Sequence, residues 1–216
     1  MIKLDIISDV ACPWCYVGKA YLDRALEARP NHQFQIEWHP YQLNPELPLE
    51  GMDRIAYMAA KFGNRDTIVR IHKPLLAHAE KAGVAFDLAA ITRTPNTLDA
   101  HRLIHWAGIE GRQTPMASAL FRAYWRDGRD IGDHTTLAKI AGEVGLDANA
   151  MARLLATGED RALIESRILH SQSRGVTSVP TYIIGNQHAI PGAQPTEMWL
   201  NVIDELAEKA QEIRND

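Results

Sequence analysis

Two cysteines, Cys12 and Cys15, are the residues of this chain whose type and spacing could do chemistry. They lie in the segment SDVACPWCYVGKA, residues 8–20, and the chain contains no other cysteine. Thiols at this spacing can form a redox couple, supply half of a metal site or pack as small apolar side chains. A zinc site needs about four ligands, and His101 and His105, four residues apart, bring no recognisable third ligand. The redox couple is therefore the favoured interpretation, and we expect no metal.

The residues around the pair predict that a strand delivers it to the start of a helix. Residues 2–9, IKLDIISD, alternate apolar and polar side chains as a strand does, and a helical period begins at Cys15. Helix starts carry unpaired N–H groups and a positive partial charge, which favour the thiolate form of Cys12. Pro13 suits the first turn because the N–H that it lacks would go unused there. A separation of one turn predicts an exposed, attacking sulfur on Cys12 and a sheltered, resolving sulfur on Cys15.

The composition is that of an ordinary globular protein, with 216 residues, 46% of them hydrophobic and 23% charged. The formal net charge of −4 gives no basic surface, which argues against nucleic acid as a partner. No segment reaches the roughly 18 uninterrupted apolar residues of a membrane helix, and the start MIKLDIISDV lacks the apolar region of a signal peptide. We therefore expect a cytoplasmic protein with no membrane partner, in which a structural disulfide would be unusual.

The N-terminal elements predict a βαβ unit. The first helix must end before Pro30, and the segment QFQIEWHPYQL then alternates again, with Phe34, Ile36 and Trp38 on one face. A strand, a helix and a second strand in this order are typical of two parallel strands joined by a right-handed crossover.

The middle of the chain, from about residue 44 to residue 173, has helical patterns and no convincing strand. We expect Pro74 to interrupt one of these helices. Helix boundaries are indicated by capping residues, which are Asp53 with Gly63, Asn96 or Thr97 with Gly108, Thr114-Pro115, Asp147 and Gly175.

Strands return near the C-terminus. The segment PTYIIGNQHAIPG contains two short apolar runs around Gly185-Asn186, which predict a hairpin with a two-residue turn, and a closing helix follows. The sequence thus predicts an α/β protein in which residues 1–48 and 171–216 form one sheet-containing domain and residues 49–170 form a helical insertion. Val179-Pro180 directly precedes the hairpin. In a chain that combines the Cys12/Cys15 pair with this order of elements, that position favours a cis bond facing the cysteines.

These motifs resemble a known family. CPWC at the start of the first helix, SVPT before the hairpin and the helical insertion are similar to the thioredoxin-fold oxidoreductases of the DsbA type. More narrowly, SDVACPWCYVGK, NTLDAHRL and GVTSVPTYIIGNQHAIPGAQP resemble the FrnE-like branch, which stands near 2-hydroxychromene-2-carboxylate isomerases and kappa-class glutathione transferases. The specific motifs cover the first 48 residues and about the last 45, whereas the insertion matches only in NTLDAHRL and in its helical character.

The resemblance implies a thioredoxin fold, βαβ…ββα with a large all-helical insertion, and a role for each site residue. Cys12 would be the nucleophile, Cys15 the resolving thiol and Pro180 a cis-proline packed across from them. The backbone of Val179 would pair with an extended substrate as a sheet edge does. Trp14, with Pro13 beside it, presents a surface to the substrate or covers the edge of the site.

The matching stretch of the insertion adds three weaker candidates for substrate binding. Asn96, Thr97 and His101 either line a cleft above Cys12, or cap a helix and pack in the core. Both interpretations are open from the residues alone.

The leading hypothesis for function is a protein disulfide oxidoreductase or isomerase that acts on a disulfide-containing protein or a small thiol. The isomerase and transferase relatives generally carry serine where Cys12 stands, so the cysteine favours dithiol exchange. Two alternatives remain, a glutathione-dependent isomerase or transferase acting on a small aromatic or polyketide-like substrate, and a binding module without turnover. We expect no bound cofactor, with glutathione as the candidate co-substrate, and the residues do not indicate an oligomeric state.

Overall fold

A computed structural model describes residues 1–215 of the chain. Four strands form the main sheet, in the order β2-β1-β5-β6. They are β1 (Ile2–Ser8), β2 (Phe34–Pro40), β5 (Thr181–Ile184) and β6 (His188–Pro191). β1 and β2 are parallel, while β5 pairs antiparallel with β1 and β6 antiparallel with β5. The predicted βαβ…ββα order is confirmed.

Two helices lie against this sheet, α1 (Pro13–Ala28) and α9 (Thr196–Asn215). Because side chains alternate along a strand, Leu4 and Ile6 of β1 share one face, and they belong to the apolar core that also contains Leu22 of α1 and Trp199 of α9. Ile7 points to the opposite face and packs in a smaller cluster. The first face is the one that receives the cysteines.

The insertion contains seven helices and one very short ladder within the described chain. The helices are α2 (Arg54–Phe62), α3 (Arg65–Ala82), α4 (Leu98–Ile109), α5 (Gln113–Trp125), α6 (His134–Glu143), α7 (Ala148–Leu155) and α8 (Arg161–Ser173). The ladder joins β3 (Met52–Asp53) to β4 (Arg93–Thr94). Two residues per strand are too few to produce an alternating pattern, which explains why the sequence did not indicate it. The division at residues 48/49 and 170/171 stays a prediction, and its second boundary falls within α8.

Most of the predicted helix boundaries agree with the structure. Asp53 caps α2, its carboxylate accepting the Ala56 N–H, and the helix ends at Gly63. Asp147 caps α7. The boundary predicted at Thr114-Pro115 is displaced, since α5 already begins at Gln113.

Two local predictions are wrong. Pro74 lies inside α3 and does not interrupt it; its neighbour Leu75 is buried against α1, so packing outweighs the hydrogen bond that proline removes. The β5–β6 turn has positive φ at Gly185 and Asn186, as the hairpin signal requires, but the register pairs Ile184 with His188. Gln187 is therefore a third loop residue.

None of the helices in residues 1–215 has both the length and the apolar character that crossing a bilayer requires.

Candidate active site

The cysteine pair stands where β1 passes into α1. β1 ends at Ser8, and Cys12 is the N-cap residue of α1, with an extended backbone and proline at the first helical position. The Cys12 carbonyl accepts the N–H groups of Cys15 at 3.1 Å and Tyr16 at 3.3 Å. Both thiols are free. One helical turn therefore separates the two sulfurs, as predicted.

Both cysteines are buried, which corrects the prediction that Cys12 is exposed. Their exposed fractions are 4% for Cys12 and 1% for Cys15. The cause is the segment before β5, which packs over the start of α1 and brings the Val179 carbonyl to 3.6 Å from the Cys12 Sγ. The Cys12 thiol donates to this carbonyl, so a substrate must take the place of that contact before it reaches the sulfur.

The Val179-Pro180 peptide bond is cis, as predicted. Pro180 is buried, and its carbonyl accepts the Gly192 N–H at 2.7 Å, which ties it to the end of β6. Its ring lies against Gly18 of α1, since a Cβ added at Gly18 would come within 3.2 Å of Pro180 Cγ. The loop of Pro180 and the helix of the cysteines thus form opposite walls of one site.

Burial raises the pKa of the Cys15 thiol well above its ordinary value, and the neighbouring Cys12 sulfur raises it further. The Ser8 hydroxyl and the Asp9 backbone act in the opposite direction but do not outweigh these effects. Cys15 is therefore a protonated thiol in the resting protein, and it must lose its proton before it can act as a nucleophile.

Asp9 and Trp125 hold the loop that carries Cys12, and neither role was predicted from the sequence. The buried Asp9 carboxylate accepts the N–H of Ala11 at 3.1 Å and of Leu43 at 2.8 Å, and its carbonyl accepts the Cys12 N–H at 2.9 Å. Trp125 Nε1 donates to the Val10 carbonyl at 3.0 Å. The role of Asp9 could have been inferred from its position, because it is a polar residue at the end of a strand and three residues before Cys12. No local pattern indicated the role of Trp125.

Asn96 and Thr97 are buried and support the loops around the site. The Asn96 amide donates to the Leu47 carbonyl and accepts from Gln42 and from the Leu98 N–H. Thr97 is the N-cap residue of α4, although its side chain makes no capping hydrogen bond. These contacts fit the capping and packing interpretation, and contact with a substrate stays a prediction.

His101 lies beneath the loop of Cys12. It is buried, its Nε2 is 2.9 Å from the Tyr41 carbonyl and 3.7 Å from the Asp9 carboxylate. It therefore braces the residues that hold Cys12 and does not face the site rim.

Half-buried residues form the rim of the site, namely Pro13, Trp14 and Val179. Trp14 makes an edge contact with His78 of α3, with 5.4 Å between ring centroids. The Val179 N–H makes no hydrogen bond within the described part of the chain. The rim thus offers an aromatic surface and an unpaired backbone N–H close to Cys12, and α3 places His78 beside it, a contact that the sequence did not indicate.

Among the described residues, one group of three side chains has the spacing of metal ligands, Asp5, Glu37 and His39. The Lys3 ammonium already lies 3.0 Å from Asp5 and 2.9 Å from Glu37. This group includes neither cysteine.

Comparison with known proteins agrees with this geometry. The family model of the DSBA-like thioredoxin domain matches residues 3–204. The uncharacterized protein YwbO of Bacillus subtilis (strain 168) is 28% identical over 209 residues, which are 96% of this chain and 98% of that protein. A probable DsbA oxidoreductase from Streptomyces coelicolor has a TM-score of 0.83 and 28% identity, covering 95% of this chain and 89% of its own.

Two more distant structures share the fold. A 2-hydroxychromene-2-carboxylate isomerase has a TM-score of 0.74 at 16% identity, covering 98% of each chain. The cytosolic disulfide reductase DsbM from Pseudomonas aeruginosa, solved with GSH, has a TM-score of 0.68 at 17% identity, covering 95% of this chain and 99% of its own. The family match spans nearly the whole chain and includes both walls of the site, and this protein belongs to the DSBA-like thioredoxin domain family.

Proposed function

We propose that this protein is a thiol–disulfide oxidoreductase whose working pair is Cys12 and Cys15. The observation that carries the proposal is the placement of two free thiols one helical turn apart, with the Cys12 sulfur 3.6 Å from the Val179 carbonyl beside cis-Pro180. Two reduced cysteines form no disulfide and so do not cross-link the chain. Sulfur exchange, by contrast, needs an attacking and a resolving thiol in this arrangement.

The exchange balances as two displacements. The Cys12 thiolate attacks one sulfur of a substrate disulfide, and the first substrate thiolate leaves and takes up a proton. Cys15 then loses its proton and attacks the Cys12 sulfur, which breaks the mixed disulfide and releases the second substrate thiolate. The substrate disulfide gains two electrons, and the protein pair becomes a disulfide that a thiol reductant returns to the reduced form.

The rim residues support a substrate of peptide character. An extended peptide placed along Val179 would accept a hydrogen bond from the unpaired Val179 N–H. It would also donate to the Val179 carbonyl in place of the Cys12 thiol, as a strand added to a sheet edge does. Trp14 and Pro13 would contact its side chains. A disulfide-containing protein or a small thiol disulfide fits this rim, and glutathione is the proposed reductant. DsbM, named as a cytosolic reductase and solved with GSH, supports both the reductant and a cytoplasmic location.

The proposal is tested by the reduction of a protein disulfide with glutathione as the electron source. We expect Cys12→Ser to lose turnover completely, because serine cannot form the mixed disulfide. Cys15→Ser is the matched control, since it should attack but not resolve, so a covalent adduct of protein and substrate accumulates and is detected by intact-mass measurement. Equal turnover by the wild type and Cys12→Ser would refute the proposal.

The second candidate function is a glutathione-dependent isomerase or transferase, which the fold shared with the chromene carboxylate isomerase favours. In that mechanism bound glutathione supplies the sulfur, so Cys12→Ser should keep its activity on an aromatic substrate. The same variant therefore separates the two functions, because the oxidoreductase needs the Cys12 thiol and the isomerase does not.

A further inference from the structure

A second concave site lies in the helical insertion, between α2, the first half of α3 and the segment 88–92 that leads to β4. We call it the α2–α3 pocket. Its volume is about 630 Å³, within the range of about 300–1,000 Å³ that is usual for pockets that hold small molecules. The residues that line it include neither cysteine and no residue of the Val179-Pro180 loop. The α2–α3 pocket is therefore separate from the candidate active site.

The walls of the α2–α3 pocket are mainly aliphatic. They are formed by the side chains of Ile55, Met58, Ile68, Leu88 and Ile91. Met58 and Ile91 are buried and form the inner end, whereas Ile55 is 81% exposed and lies at the mouth. Because water is released when apolar surfaces meet, such walls favour a ligand with a hydrocarbon body.

Arg54 adds a buried positive charge to the inner end. It is 9% exposed, and its guanidinium lies over the ring of Trp125, 5.6 Å from the ring centroid. The guanidinium donates to the Tyr124 hydroxyl at 3.3 Å, and it has no carboxylate partner within the described part of the chain. Burial raises the pKa of Tyr124 to about 12, so this phenol is neutral near pH 7 and does not balance the charge. A buried cation without an anion is costly, so the site favours an anionic ligand.

The Arg54 guanidinium also has free donors. Its bond to Tyr124 uses Nη1, while Nε and Nη2 have no partner among residues 1–212 and are not sealed off from solvent. These two nitrogens form a fork that fits both oxygens of a carboxylate. The same fork of Arg29 holds the Asp204 carboxylate elsewhere in this protein, at 2.7 and 3.0 Å.

The other titratable groups that line the α2–α3 pocket are Asp53, Arg65 and His72. Asp53 and Arg65 are exposed and of opposite charge, and the Asp53 carboxylate already accepts the Ala56 N–H. Burial and then the charge of Arg54 lower the pKa of His72, which is therefore neutral near pH 7. Arg54 is thus the unbalanced charge of this pocket.

We propose that the α2–α3 pocket binds a small amphipathic carboxylate of the fatty-acid type. Its carboxylate accepts from Nε and Nη2 of Arg54, and its hydrocarbon chain follows the aliphatic walls toward Ile55. The walls offer few partners for the amide groups of a peptide, which favours a fatty acid over a peptide C-terminus. This binding site goes beyond the proposed exchange function and does not depend on it.

The test is isothermal titration calorimetry of the full chain with decanoate, at pH 7 and low ionic strength. We expect saturable binding of one decanoate per chain with a Kd below about 1 mM. Decyltrimethylammonium, which has the same chain and the opposite charge, should bind at least about tenfold more weakly. Absence of saturable decanoate binding, or equal binding of the two probes, would overturn the proposal. So would tighter binding of a tripeptide of glycine, isoleucine and leucine with a free carboxyl end.

Arg54→Met removes the charge and keeps an unbranched side chain in the pocket. It should weaken decanoate binding at least about tenfold, because the charge-assisted hydrogen bonds are lost. Arg70→Met is the matched control, since Arg70 is exposed on α3 and does not line the α2–α3 pocket. It should bind decanoate as the wild type does. An unchanged affinity in folded Arg54→Met would overturn the assignment of Arg54.

A pair of neighbouring alanines on α2 gives a second test that does not disturb the core. Ala59 and Ala60 are both exposed, but only Ala59 lines the α2–α3 pocket. Ala59→Glu places a carboxylate beside the ligand and should weaken decanoate binding at least about threefold, whereas Ala60→Glu should have a smaller effect. Equal affinities in these two variants would contradict the location of the site, also where Arg54→Met does not fold.

The exchange function and this binding site are tested separately, because calorimetry needs no turnover. Cys12→Ser should bind decanoate with the affinity of the wild type, since neither cysteine lines the α2–α3 pocket. Loss of binding in Cys12→Ser would place decanoate at the cysteines and overturn the proposal.

Discussion

Replacement of Gly18 by alanine should disrupt the contact between the two walls of the site. Gly18 lies in α1, one turn beyond Cys15, where the helix passes closest to the Pro180 loop. A Cβ built on Gly18 comes within 2.6 Å of Tyr182 Oη and within 3.2 Å of both Ala193 Cα and Pro180 Cγ. The first distance is shorter than real contacts allow, so a neighbour has to move.

The cost of this substitution follows from what surrounds it. Tyr182 is 0% exposed and makes an edge contact with Trp199 at 4.7 Å between ring centroids, so its ring has little room to shift. Overpacking a core costs about 1–3 kcal/mol, and three rigid neighbours place Gly18→Ala near the upper end. Alanine regains about 1 kcal/mol of helix propensity. The net loss in the free energy of unfolding is therefore about 2 kcal/mol.

The assay is guanidinium unfolding of single and double variants. Tyr182→Phe removes a buried hydroxyl that has no hydrogen-bond partner in the described chain, so it should cost nothing by itself and reduce the cost of Gly18→Ala by at least about 1 kcal/mol. Gly108→Ala in α4 is the control, because its Cβ would meet only the Gln113 side chain, at an ordinary contact distance of 3.4 Å, so the substitution should stabilise. A Gly18→Ala protein as stable as the wild type, or an equal cost in both Tyr182 backgrounds, would refute this reasoning.

Two further predictions concern buried polar groups. Burial alone would raise the pKa of Asp99, but hydrogen bonds from Arg102 and His134 outweigh it and hold this pKa below its ordinary value of 3.8. Asp99→Ala should cost about 3–5 kcal/mol at pH 7, because Arg102 is 0% exposed and loses its carboxylate partner. A lowered carboxyl pKa stabilises the folded protein above about pH 4, and this contribution is lost as pH falls through the folded pKa. In urea unfolding, the free energies of the variant and the wild type should therefore differ less at pH 2 than at pH 7. An equal difference at both pH values would contradict this. Trp125→Phe leaves the Val10 carbonyl unpaired and should cost about 2 kcal/mol in the same measurement, with a loss under about 0.5 kcal/mol arguing against that bond.

The local elements were predictable because their signals lie within a few residues. Alternation indicated β1 and β2, and side-chain caps such as Asp53 and Asp147 marked helix starts that the structure has at the same residues. The errors arose where tertiary packing outweighs a local preference. The helix α3 continues through Pro74 because one of its faces, which includes Leu75, packs against α1. The two-residue ladder of β3 and β4 has no pattern to detect.

The environment of the cysteines depended on contacts between distant residues. The spacing of Cys12 and Cys15 predicted one helical turn between the sulfurs, but the exposure of Cys12 could not be inferred from its own segment. This exposure is set by Val179, which lies 167 residues after Cys12 in the chain and covers the start of α1. The Val10 carbonyl similarly has its partner on α5, 115 residues away.

The sequence by itself determined which atoms can react and the element that carries them, because residue type and helical period are local properties. The tertiary structure alone decided that both sulfurs are buried, that Gly18 touches the Pro180 loop and that the Val179 carbonyl lies against the Cys12 sulfur. The burial of the cysteines depends on how β1, α1, α4 and the segment before β5 pack together, and packing between elements far apart in the chain leaves no signature in any one of them.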